Sequence, residues 1–266
     1  MMANASRTDD TAAPIPINLV VRTIQVADLR DALARGIEDF RQTPTQLVFL
    51  GGIYPTIAFV AVLAARGGDV LALIYPLVAG VSLMGPLVSV GVYELSRRRE
   101  QGLPVSWINA FDVFRSPSIF SILLLAPLMC VIFVAWLVAA QVIYQMTIGA
   151  TAPASIGEFL NLVFTTGAGW SLIIIGNLVG FLFAVLVLTI TVVSFPLLVD
   201  RNVGPIVAVQ TSIRAVRANP VTMSVWGLIV AAGLVIGCLP AFIGLAIVLP
   251  VLGHGTWHLY RKVVEH

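Results

Sequence analysis

From Ser118 to Met146 the chain carries no charged residue. Built as a helix, that run is roughly 40 Å long, more than the ~30 Å hydrocarbon core of a bilayer. Gly169 to Val199 repeats the pattern. Such runs cannot be covered inside a chain of this size. The composition agrees, with 59% apolar and 11% charged residues against roughly 25% charged in an ordinary soluble domain. A disordered chain would be polar, and a disulfide scaffold would need more than the two cysteines present. The class implied is an all-α, polytopic membrane helix bundle.

Six stretches satisfy the need for about 20 apolar residues: Gln46–Ala65, Val70–Leu95, Ser118–Met146, Gly169–Val199, Val221–Cys238 and Leu239–Tyr260. The Gly237-Cys238-Leu239-Pro240 run predicts a tight hairpin between the last two, with Pro240 in the first turn of the new helix. Pro76 and Gly85-Pro86 make the second span the best candidate for a broken helix. All lysines and arginines except Arg66 fall in the N-terminal segment, the two alternate loops or the C-terminal tail. The positive-inside rule then puts both termini in the cytoplasm, in a multi-pass protein of the bacterial inner membrane. Residues 1–27 lack an apolar h-region and read as a disordered cytoplasmic N-terminus. Residues 28–266 read as one six-span domain.

Three of the spans share an entry grammar. Thr43-Pro44, Ser116-Pro117 and Asn219-Pro220 each offer an N-cap residue followed by proline. Each follows a short amphipathic segment, apolar at Leu29, Leu33, Ile37 and Phe40, at Trp107, Phe111 and Phe114, or at Ile206, Val209, Ile213 and Val216. These predict three short cytoplasmic interfacial helices and suggest three parallel repeats, 28–95, 104–199 and 205–266. Any cytoplasmic helix feeding a span could use the same grammar, so convergence stays open. Between the third and fourth spans, Ser155-Ile156-Gly157-Glu158 is a capping-box pattern opening a short apolar helix.

Few polar residues are candidates for chemistry. His254 and His258, four apart, face one side of a helix and could supply two ligands to a metal. Trp257, Tyr260, Arg261 and Lys262 around them equally suit an interface belt. Glu94 stands four residues before Arg98, the spacing of a helical ion pair. Gln141, Gln145 and Asn177 fall at similar depth, either bonding helix to helix or lining a polar solute site. Gly176/Gly180 and Gly233/Gly237 have the small-xxx-small spacing of close helix contacts. Cys130 and Cys238 sit at different depths and are expected to stay unpaired. The chain contains no CxxC, P-loop, GxSxG or HExxH.

Two segments resemble a bacterial family of predicted integral membrane proteins with a domain of unknown function. They are Gly85-Pro86-Leu87-Val88-Ser89-Val90-Gly91-Val92-Tyr93-Glu94-Leu95-Ser96-Arg97-Arg98 and Gly253-His254-Gly255-Thr256-Trp257-His258-Leu259-Tyr260-Arg261. The resemblance implies that Glu94, Arg97, His254 and His258 cluster at the cytoplasmic face. Some relatives carry the label of a cytochrome c oxidase subunit. The expectation is a non-enzymatic accessory or assembly factor without cofactor, whose partners are the bilayer and another membrane complex, not nucleic acid. The alternatives are a small-solute transporter or channel, and a metal- or haem-binding redox subunit.

Overall fold

Proline and glycine set the first half of the architecture. The computed structural model describes residues 19–45, 48–49, 51–56, 59, 70–149, 153, 155–240 and 242–265. After α1 (Val26–Gln42), the apolar stretch from Val70 is divided into α2 (Val70–Leu83), α3 (Gly85–Val88) and α4 (Val90–Glu100). The breaks flank Gly85-Pro86, as the sequence predicts. A 3₁₀ helix, Trp107–Arg115, leads into α5 (Ile119–Thr147). Then come α6 (Ile156–Thr165) and α7 (Gly167–Thr191). Two turn residues precede α8 (Ser194–Asp200), whose third residue is Pro196. A proline here has no N–H for the carbonyl four residues earlier, which is why α7 stops and α8 restarts. The chain ends with α9 (Pro205–Ala218), α10 (Pro220–Cys238) and α11 (Leu245–Val263). The fold is all-α. An isolated antiparallel bridge, Val21 to Val264, is the one strand-like feature among the described residues.

The expectation of six spans is not met. Among the described residues three helices are long and apolar enough to cross a membrane: α5, α7 continued through α8, and α10. Residues 46–65, the expected first span, lie largely outside the described residues. The expected second span fails because its three pieces are each too short. The expected sixth, α11, has the length, but its second half carries His254, His258, Arg261 and Lys262. Those groups are expensive in hydrocarbon. The three-fold repeat of paired spans falls with that count. The hairpin before α11 also differs: six residues separate α10 from α11, and the new helix starts at Leu245 rather than at Pro240.

The molecule has two unlike ends. Only 22–33% of the most apolar stretches of α5, α7–α8 and α10 is buried, so most of their surface is left for lipid. At the polar end α11 is a hub, packed by α1, α4, α8 and α10. Trp257, Leu259, Tyr260 and Val263 have no exposed surface. Trp257 and Tyr260 are therefore not an interface belt. The Trp257 indole donates to Glu100 Oε2 (3.2 Å) and the Tyr260 hydroxyl to Asp200 Oδ2 (2.6 Å). A buried N–H or O–H needs such a partner.

Part of the segment expected to be disordered is held in place. Arg22 N–H donates to the Val263 carbonyl (2.7 Å) and Glu265 N–H to that of Val20 (3.0 Å). Asn219 completes the anchor. It occupies the N-cap position of α10, but its side chain does not cap the helix. Its Oδ1 accepts from Ile24 N–H (2.7 Å) and its Nδ2 donates to the Arg22 carbonyl (3.0 Å). The other corners shift too. Thr43 closes α1, and Ser118 rather than Ser116 precedes α5. Ser155 caps α6 as predicted, accepting from Glu158 N–H at 3.2 Å.

The amphipathic helices bury a stripe offset toward small residues from the one their large apolar residues mark, with Leu29 common to both. α1 buries Leu29, Ala32, Gly36 and Asp39, and α9 buries Ala208, Thr211, Ser212 and Ala215. Small residues let the axes approach, and the bulky ones (Ile37, Ile206) lean outward. The middle segment is 3₁₀ and leaves Trp107, Phe111 and Phe114 exposed.

Candidate functional site: a buried aspartate between two histidines

A close approach of α1 and α11 positions the site. A Cβ on Gly36 of α1 would lie 2.6 Å from the backbone nitrogen of Gly255 and 2.8 Å from the carbonyl oxygen of Val251. Both obstacles are α11 backbone, so neither can rotate away. This contact brings Asp39, one turn beyond Gly36, against the histidine face of α11. Gly36→Ala is expected to lower stability by about 1–3 kcal/mol, the usual cost of overpacking. Thermal unfolding in detergent measures it, with Gly176→Ala as control, because a Cβ at Gly176 meets nothing within 4 Å.

Asp39 joins three helices. Its Oδ2 accepts from His258 Nε2 (2.9 Å) on α11 and from the Ser96 hydroxyl (2.8 Å) on α4, while Arg99 Nε lies 3.4 Å from Oδ1. Arg99 also donates to Gln42 and to Thr43 Oγ1, where α1 ends. Burial pushes the Asp39 carboxyl up. The hydrogen bonds from His258 and Ser96, with the charges of both histidines, outweigh it and leave the group below its ordinary value.

His254 is 1% exposed, and its Nδ1 lies 2.6 Å from Ser96 Oγ. Ser96 has one proton and gives it to Asp39, so Nδ1–H donates to Ser96; burial keeps the ring neutral. Its Nε2 is then a buried acceptor without a partner. Burial first, with His258 and Arg99 adding to it and Asp39 opposing, takes this imidazole down to about 4. A nucleophilic relay would set Asp39 against the ring nitrogen remote from the serine. Here Asp39 meets Ser96 itself. Only His258 bonds to the carboxylate, with His254 Nδ1 3.6 Å from the same oxygen, and no group of three or more His, Cys, Asp or Glu placed to hold a metal occurs among the described residues.

Glu94 and Arg97 lie at the same end but outside this cluster. Glu94, 3% exposed, pairs with Arg97 through two bonds of 2.7 and 2.8 Å. The sequence spacing pointed to Arg98, which instead reaches Asp112 (3.1 Å) and the Pro104 carbonyl. The four residues expected to gather thus divide between two sites at one end. A cavity of about 330 Å³ beside the histidines is lined by Arg35, Arg99, Glu100, His258, Arg261 and Lys262.

The polar trio of the apolar helices does not form a site. Gln145 is exposed, the Gln141 side-chain oxygen is buried without a partner, and Asn177 bonds to the Ile173 carbonyl and to Tyr75. Gly233 and Gly237 meet α11 or the turn before it, whereas of Gly176 and Gly180 only Gly180 meets a neighbour, Trp136. Cys130 and Cys238 are free.

Asp39, Ser96 and Arg99 were missed from sequence. Asp39 is in step with Leu29, Ala32 and Gly36, an apolar and small-residue stripe in which a carboxylate is out of place. That was the available signal.

Residues 74–200 match the model of a family described as predicted integral membrane protein (DUF2189). The stretch holds Glu94, Ser96, Arg97 and Arg99 but ends before the Gly253–Arg261 segment, and the description names no oxidase. No curated protein and no solved structure matches the chain. Three long apolar helices together with this likeness identify a multi-pass, mostly helical integral membrane protein.

Proposed function

We propose that the chain is a non-enzymatic accessory or assembly factor of the cytoplasmic membrane. Its polar end faces the cytoplasm, and its apolar helices engage another membrane protein. The observation that carries this reading is how the conspicuous polar side chains are used. Asp39, His254, His258 and Ser96 bond to one another across α1, α4 and α11, and Glu94 is held by Arg97. Groups committed to holding helices together are poor acids, bases or ligands for anything else. The apolar helices, by contrast, keep most of their surface outward. The hydrogen bonds between residues 20–22 and 263–265 support a reading with both described ends on one side. Nearly all the basic residues belong to segments at that polar end.

Photo-crosslinking groups placed at Val131 and Leu182, both exposed on α5 and α7, test the reading. A single membrane protein captured in stoichiometric yield from intact cells is the expected result. Lipid adducts alone at both positions would argue against it. A fluorescent protein of a variant that matures only in the cytoplasm, fused to the C-terminus, should emit.

A further inference from the structure

A second polar cavity, of about 290 Å³, opens between α4, the 3₁₀ helix and the start of α8's following loop. We infer that it holds the phosphate of an anionic phospholipid, whose acyl chains lie over the exposed aromatic face of the 3₁₀ helix.

Three observations meet there. First, the site is at membrane level. The 3₁₀ helix ends at Arg115, four residues before the 29-residue apolar α5. Its Trp107, Ile108, Phe111 and Phe114 are all exposed, and the Phe111 and Phe114 rings stack at 6.4 Å. A capping box between Ser106 and Asn109 fixes this face outward. Exposed aromatics beside a span belong in the headgroup layer.

Second, the cavity has cations to spare. Arg97, Arg98, Arg115 and Arg201 line it against Glu94, Asp112 and Asp200. Arg97 is matched by Glu94, but Asp112 serves both Arg98 (3.1 Å) and Arg115 (3.5 Å). The Arg115 side chain is 89% exposed, so its contact with Asp112 leaves most of the guanidinium open to a second anion. Guanidinium groups match phosphate oxygens in pairs.

Third, the wall supplies a hydroxyl suited to a phosphodiester. Ser116 lines the same cavity where α5 begins; its Oγ accepts from Ser118 N–H (3.2 Å), and its proton is available to a phosphate oxygen, whereas the Ser118 hydroxyl is spent on the Arg201 carbonyl. A phosphatidylcholine headgroup brings a compensating ammonium and gains less from surplus arginine charge than phosphatidylglycerol does.

Native mass spectrometry of the delipidated full chain in detergent, titrated with phosphatidylglycerol, phosphatidylcholine or inorganic phosphate, tests the inference. Phosphatidylglycerol should bind more tightly than phosphatidylcholine. Arg115→Gln should weaken it about fivefold, the worth of one arginine at an anionic surface. Arg30→Gln, an exposed change on α1, should leave it unaltered. Arg115 is too exposed for its loss to unfold the protein, and an unshifted melting temperature confirms that. Equal affinity for the two lipids, or equal losses in the two variants, overturns the site. Inorganic phosphate displacing phosphatidylglycerol at equal concentration overturns the lipid as its occupant.

Discussion

Asp39→Ala is expected to cost about 3–5 kcal/mol, the penalty for breaking a buried charge cluster by removing one member. The carboxylate accepts from His258 and Ser96 and faces Arg99. Its loss leaves a partly buried guanidinium without its counter-charge and the His258 N–H without its acceptor, and forces the Ser96–His254 pair to rearrange. Water cannot replace it readily, because Asp39 and Ser96 are almost fully buried. The damage should spread, since the cluster is where α1, α4 and α11 meet. Asp39→Asn keeps the volume and one acceptor oxygen, so its loss should be smaller. Asp31 is the control: it pairs with Arg35 (3.0 Å) and Lys262 (2.9 Å), but its side chain is 43% exposed. Exposed pairs contribute at most about 1 kcal/mol. Thermal unfolding of the detergent-solubilised variants, followed by tryptophan fluorescence, ranks them. Equal losses for Asp39→Ala and Asp31→Ala would remove the cluster from its place at the centre of the polar end.

What could be read from sequence and what could not differ by physical cause. α5, α7 and α10 were legible because an uncharged run of that length has one stable environment. The breaks around Gly85-Pro86 and the Ser155 cap were legible because they are local chemistry, acting over one turn. The role of α11 was not. Tryptophan, tyrosine, histidine, arginine and lysine at a helix end suit a membrane interface and a buried hub equally well. The distinction lies in the partners: Glu100 for Trp257, Asp200 for Tyr260, Asp39 for His258 and Asp28 for Lys262. All are at least 60 residues away in sequence, and no pattern within α11 encodes them. The same holds at Asn219. Its position before Pro220 reads as a cap, yet its amide is spent on the backbone of residues 22 and 24. Candidate residues His254 and His258 were therefore found as residue types, while their partners waited for the tertiary structure.

Acidification should loosen the polar end through His254, within a window set by its shifted titration. His254 lies in the polar second half of α11, beside a cavity lined by Arg35, Arg99, His258, Arg261 and Lys262, so the aqueous proton concentration is the relevant variable. The imidazole is held neutral in the fold down to about 4, whereas the unfolded chain protonates near 6.5. Between those values the unfolded state binds one more proton than the folded state, so stability rises with pH across the window and falls on acidification. A shift of that size corresponds to a loss on the order of 3 kcal/mol between pH 6.5 and 4. Asp39 acts lower. Its folded value lies below the ordinary carboxylate value of 3.8, so its contribution is fully present above that pH and is lost only as pH falls through the depressed value. The two effects thus occupy adjacent windows. Charged groups facing His254 are Asp39, His258 and Arg99, and two of the three disfavour a second positive charge there. His254→Gln removes the titration while keeping a hydrogen-bonding side chain of similar length. Melting temperatures measured every half unit from pH 4 to 7.5 should fall steeply below 6.5 in the parent chain and stay nearly level in His254→Gln until Asp39 begins to protonate. Parallel curves for the two proteins would mean that His254 is not the group that senses acid.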